Sequence, residues 1–221
     1  MMNTKIAVTR HGKLYRILHW AIVAEVMLLL LSGLGVSEYM SLGIFSRGGA
    51  RSLHVVAGLT WMGTITFFIY YFVVSGEYRW FGLSKLGLAF DFFMHEIKCA
   101  VNGQKIKNPV AYDAKRKKYL EKVVPTEVLA WWGWFALWFV MVFTGLGVLF
   151  PENFGIINRL CRAILPSFGN PAAAARLVHI TVSMAVVVYM VIHAYAAWSF
   201  GMLGSMISGM SEEPAADAEK V

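Results

Sequence analysis

Four long apolar stretches alternate with polar segments along the 221-residue chain, at about 17–36, 54–75, 127–150 and 177–200. Each is long enough to cross a hydrocarbon core, which takes about 20 residues as helix. Lipid offers no partner to a free backbone amide or carbonyl, so the spans are expected to be helices. The expected architecture is an all-α membrane protein, a four-transmembrane-helix bundle over residues 1–204 with a tail at 205–221.

The connections differ. Residues 37–53 form a short loop, and 151–176 a longer one holding Pro151, Pro166 and Pro171. The 76–126 segment is the largest. It opens with the amphipathic stretch WFGLSKLGLAFDFFMHEIKCAV, expected to lie in the membrane interface. The polar stretch AYDAKRKKYLEK follows, and the end of the tail, SEEPAADAEKV, has the composition of a disordered segment. The apolar run behind the basic N-terminal arm is too long for a signal-peptide core and reads as a retained span.

The spans repeat. LLSGLGV (30–36) ends the first and VFTGLGV (142–148) ends the third, while ARSLH (50–54) opens the second and ARLVH (175–179) opens the fourth. The chain reads as two similar hairpins, and repeats that pack together often build a binding site at their interface.

Charge adds an orientation. Of 20 Lys and Arg, 15 fall in the N-terminal arm, the 76–126 loop and the tail, and five in the other two loops. That bias puts both termini and the large loop in the cytoplasm. A net charge of +7 would suit nucleic acid, but 58% hydrophobic and 15% charged residues point to lipid instead. No CxxCH, CxxC or HExxH occurs, which excludes covalent c-type haem and gives no sign of zinc; Cys99 and Cys161 fall on opposite sides of the membrane in this topology.

Four of six histidines lie in or at the spans: His19, His54, His179 and His193; His11 and His95 lie outside them. Ionisable side chains in spans are rare and mark functional sites. His54 and His179 both open inward-running spans, so they share the outer level. His193 follows His179 by 14 residues, about 21 Å further in and on nearly the same helix face. It thereby reaches the level of His19. The result is two imidazole pairs at two depths, the ligand set of two six-coordinate haems. The position matching His19 in the third span is Trp131.

Arg16, Arg51 and Arg176 each precede one of these histidines by three residues, one turn nearer water, where they could pair with haem propionates. Gly33, Gly58 and Gly145 could make room for a flat ring. Glu25 points away from the haem face and reads either as a proton-handling carboxylate near a quinone or as a hydrogen bond between helices. The run WWGW (131–134) reads as an interfacial belt rather than a stacking site.

RILHW with LLSGLGV in span one, RSLHVVAG in span two, and RLVH followed by HAYAAW in span four resemble the cytochrome b subunits of respiratory formate dehydrogenases. They also resemble the related subunits of thiosulfate reductases and nickel-iron hydrogenases, and the segment GMLGSMISGMSEE is similar to the end of the formate dehydrogenase subunit. The resemblance implies two b-type haems, the outer held by His54 and His179 and the inner by His19 and His193. It implies a bacterial inner-membrane anchor that passes electrons between a periplasmic iron–sulfur subunit and menaquinone near the cytoplasmic face. It places the quinone beside His193 and at a Tyr-Asn-Ala-Gly-Gln-Lys segment of the large loop. This chain has YDAKRKKY there, so Tyr112 and Asp113 are the quinone candidates, Asp113 stands where the family has Asn, and the Gly-Gln-Lys is lost.

The expected function is therefore a di-haem electron-transfer subunit, working with an iron–sulfur subunit and a catalytic subunit or periplasmic multi-haem cytochrome. The alternatives are a stand-alone b561-like carrier and a haem-free transporter or anchor.

Overall fold

The computed structural model describes residues 5–37, 43–106 and 108–216. Part of the first loop (38–42) and the last five residues of the expected tail lie outside them. Among the described residues, four helices are long and apolar enough to cross a membrane: α1 (Lys13–Val36), α2 (Arg47–Val74), and two further on, Pro125–Leu149 and Pro171–Ser199. All four expected spans are present, each starting two to seven residues before its expected position. Polar and capping residues account for the earlier starts. Ser46 Oγ accepts from Gly49 N at 3.2 Å ahead of α2, and Pro125 and Pro171 occupy first-turn positions, where a missing N–H costs nothing.

The chain folds as two compact units. In the first, α1 and α2 run antiparallel, as the contacts Tyr15 to Phe68, Glu25 to Thr64 and Ser32 to His54 require. Small residues close the seam. Ser32 and Ala50 are fully buried, and a Cβ placed on Gly35 would fall 2.8 Å from that of Ala50. Such seams let helix backbones approach where lipid supplies no hydrophobic drive for association.

A four-stranded sheet completes this unit: β1 (Lys5–Thr9), β2 (Ala111–Asp113), β3 (Lys118–Glu121) and β4 (Met210–Ala216), in the order β1-β4-β2-β3. β4 pairs antiparallel with β1 and parallel with β2. The tail expected to be disordered is thus ordered through residue 216. Its Glu213 has a partner: it meets Arg10 at 2.8 Å with both side chains buried, and Arg10 also donates to the Lys122 carbonyl at 2.7 Å. Lys122 Nζ in turn pairs with Glu77. The N-terminal arm, the tail and part of the large loop therefore share one side of the α1–α2 hairpin. The all-helical expectation holds for the spans, and the sheet is an addition outside them.

The second unit holds α3 (Leu86–Val101), α4 (Pro125–Leu149), α5 (Pro151–Ile164) and α6 (Pro171–Ser199). α4 and α6 run antiparallel, with Thr144 against His179 and Trp134 against Tyr189. α3 forms within the amphipathic stretch and is tied to α4 by Thr126 Oγ1 donating to Glu96 Oε1 at 3.1 Å. Burial pushes the Glu96 carboxyl upward, and the Thr126 hydrogen bond pulls it partly back. α5 replaces most of the expected 151–176 loop. Asn158 donates to the Gly147 carbonyl at 2.8 Å, and Cys161 packs with Ala174 and Ala175. Both cysteines are buried free thiols. The last helix, α7 (Leu203–Ser208), leads into β4 in the first unit.

α2 and α6 leave Val56, Phe67, Tyr70, Val73, Val188, Val191 and Ile192 exposed. Apolar surface on this scale suits a lipid environment and not water.

Candidate functional site

His54 sits in the second turn of α2, opposite the last turns of α1. Its Nδ1 is 3.0 Å from Ser32 Oγ and 3.1 Å from the Leu29 carbonyl oxygen. A carbonyl only accepts, so Nδ1 must carry the proton. Ser32 agrees: its own O–H donates to the Leu28 carbonyl at 2.6 Å, so its oxygen is left to accept from the imidazole. With the proton on Nδ1, Nε2 is the unprotonated nitrogen, the form in which an imidazole binds a metal.

The second unit builds the same arrangement. Thr144 Oγ1 donates to the Val140 carbonyl at 2.6 Å and lies 2.8 Å from His179 Nδ1. With the hydroxyl proton on that carbonyl, the Thr144 oxygen is left to accept from His179 Nδ1, which matches the His54 arrangement. A glycine follows each hydroxyl residue. A Cβ on Gly33 would come within 3.4 Å of His54 Cε1, and one on Gly145 within 3.4 Å of His179 Cε1. These glycines make room for the imidazole itself, whereas a Cβ on Gly58 would meet only Leu29, at an ordinary 3.8 Å.

His19 and His193 lie at the other ends of their hairpins. Ser32 is 13 residues beyond His19 on one helix, and His193 is 14 beyond His179 on another. Each hairpin therefore carries two candidate ligands separated by about 20 Å along its length. His19 meets Trp20 edge-on, with centroids 5.3 Å apart. His193 meets Trp134 edge-on at 6.3 Å, and Trp134 contacts Tyr189 at 4.8 Å. The Tyr189 hydroxyl donates to the Ala130 carbonyl at 2.6 Å. Trp134 thus packs on a candidate ligand, a role the belt reading of WWGW overlooks.

The remaining candidates divide. Arg51 and Arg176 are exposed. Arg16 donates to the Ile207 carbonyl and packs so closely on Gly209, whose φ is +85°, that a Cβ there would fall 3.1 Å from its guanidinium. Tyr112 packs edge-on against Tyr119 across the β2–β3 hairpin, with centroids 5.1 Å apart. Asp113 is buried, and its Oδ1 accepts from the backbone amides of Lys115 and Arg116 at 2.9 and 3.0 Å, a turn-forming role. Glu25 accepts from Thr64 Oγ1 at 2.8 Å, the hydrogen bond between helices that was one of its two expected roles.

His11, just before α1, stacks on Tyr15 with rings 13° from parallel. Its pKa is lowered to about 3, first by burial and then by the charges of Arg10, Lys122, His19 and Arg16. His95 lies 3.4 Å from Cys99 Sγ on α3.

A b-type haem needs imidazole nitrogens with free lone pairs, held so that the ring stays fixed. His54 and His179 meet that demand by matched hydrogen bonds, so the residues present fit the group. No individual curated protein matches the chain. The family model described as prokaryotic cytochrome b561 matches residues 10–210, nearly the whole length. The chain belongs to the prokaryotic cytochrome b561 family, membrane electron carriers that bind b-type haem.

Proposed function

We propose that this chain is the di-haem membrane subunit of a respiratory oxidoreductase complex, carrying electrons between a periplasmic redox subunit and menaquinone near the cytoplasmic face. His54 and His179 would hold the outer haem, and His19 and His193 the inner one. The observation that carries this reading is the matched setting of His54 and His179, each with Nδ1 within 3.0 Å of a hydroxyl oxygen whose proton has a carbonyl acceptor one turn back on its own helix. When bound, haem with two axial nitrogens supplies one-electron redox chemistry without binding oxygen. The chain's own part is to orient the imidazoles and exclude water around them.

The equal spacing of about 20 Å in the two hairpins supports two levels rather than one. The shared sheet supports a common side for both termini and the large loop, and the basic bias assigns that side to the cytoplasm of a bacterial inner membrane. Arg51 and Arg176 are the proposed propionate partners; Arg16 could contribute only alongside its bond to Ile207. For the quinone we propose His193 and Tyr112 as contacts, with Asp113 holding the turn that presents Tyr112.

Family membership removes the haem-free transporter reading. It also favours a second one, a stand-alone b561-like carrier without a large partner. Purification from native membranes under mild detergent separates the two. Co-purifying iron–sulfur or multi-haem subunits, with electron exchange to a menaquinone analogue, support the complex. A haem-loaded chain that purifies alone and fails that exchange contradicts it.

A further inference from the structure

We propose that Ser32 and Thr144 are matched positioning residues for the two axial ligands of one haem, fixing His54 and His179 in the Nδ1–H form and setting that haem's midpoint potential. The proposal rests on the axial-ligand assignment above. A Ser or Thr that bonds back to the i−4 carbonyl is ordinary in a membrane helix and proves nothing alone. Here the same oxygen also faces an imidazole nitrogen, at 3.0 Å for Ser32 and 2.8 Å for Thr144. The arrangement occurs once in each unit, at equivalent places in LLSGLGV and VFTGLGV, with a glycine closing on the ring both times.

The division of labour follows from counting protons. Each hydroxyl has one, and the i−4 carbonyl takes it at 2.6 Å in both units. The oxygen's remaining lone pairs face the imidazole and can only accept. An acceptor on Nδ1–H draws that proton outward and makes Nε2 a stronger donor to iron. A stronger donor favours the ferric over the ferrous state and lowers the potential. The two hydroxyls would therefore act in the same direction, each through its own imidazole. His193 has a different setting, with Trp134 against its ring, so the inner haem should not respond.

The test is a potentiometric titration of the full chain in membranes, followed by absorbance and by low-temperature electron paramagnetic resonance. Ser32→Ala and Thr144→Val should each raise the midpoint of the same one of two components. The expected size for Thr144→Val is about a tenfold change in its ferric-to-ferrous ratio at fixed potential, or about 59 mV for one electron, and less for Ser32→Ala, where the Leu29 carbonyl still accepts from His54 Nδ1 at 3.1 Å. Ser32→Thr and Thr144→Ser should titrate like the parent. Ser32→Cys keeps the shape with a weaker acceptor, and should give a smaller shift of the same sign even where Ser32→Ala fails to assemble.

If the two substitutions move different components, or move neither while both haems stay bound, the inference is wrong. The ligand assignment itself fails by a different sign: a parent chain lacking two b-type components, which overturns the inference with it.

Discussion

Arg10 and Glu213 stand 203 residues apart in the chain and form a buried ion pair at 2.8 Å. The pair joins the strand ahead of the first span to the strand after the last. Tyr119 shares the carboxylate, its hydroxyl donating to Glu213 Oε1 at 3.5 Å. Removing one partner would leave a guanidinium buried without its counter-charge. Glu213→Ala should therefore destabilise this unit by about 3–5 kcal/mol. Thermal unfolding in detergent, with protease susceptibility of the N-terminal arm, would show it. Unchanged unfolding would mean the pair contributes nothing net.

The seam between α1 and α2 gives a second prediction. Ala50 is fully buried and lies one turn before His54, facing Gly35. A methyl on Gly35 would stand 2.8 Å from the Ala50 methyl, far inside contact distance. The helices must then separate, at a cost of about 1–3 kcal/mol for overpacking. Gly35→Ala should lower the melting temperature more than Gly58→Ala, where the nearest atom is 3.8 Å away. Equal effects would show that the seam yields freely.

His11 predicts a pH dependence. Its folded pKa is held at about 3 against an ordinary 6.5, so it is neutral in the folded protein across the physiological range. The unfolded chain takes up that proton as pH falls below 6.5. A depressed folded pKa means that the unfolded state binds more protons between about 3 and 6.5. This group's stabilising contribution is therefore full above 6.5 and is lost as pH falls through that window. Melting temperature should drop more steeply with acid in the parent than in His11→Gln, and parallel curves would rule His11 out as the cause.

The fold was legible in proportion to how much lipid constrains it. Hydrocarbon forces a long apolar run to be helical, so four spans could be read from hydropathy. α5 escaped because PENFGIINRLCRAI is amphipathic and charged, and buries one face on protein through Asn158 and Cys161. The sheet escaped for another reason. β2 and β3 have three and four residues, and β4 pairs with a strand some 200 positions away, so no local pattern announces it. SEEPAA also looks solvated until Arg10 is seen to bury Glu213.

The candidate site was half legible. Histidines in apolar spans stand out because they are costly there. Ser32 and Thr144 sit inside the repeated motifs, yet only the neighbouring glycines attract notice, because a hydroxyl bonded back to its own helix is commonplace. Its second contact is with another helix, and becomes visible only when Ser32 and His54 meet.

Four imidazoles are proposed to hold two haems, with His54 and His179 on the same iron. The most direct measurement is haem per chain, with a redox titration of the parent, His54→Ala and His179→Ala. The expected outcome is two haems in the parent and one in each variant, with the same titrating component missing from both variants. One haem in the parent, or different components missing from the two variants, would contradict it.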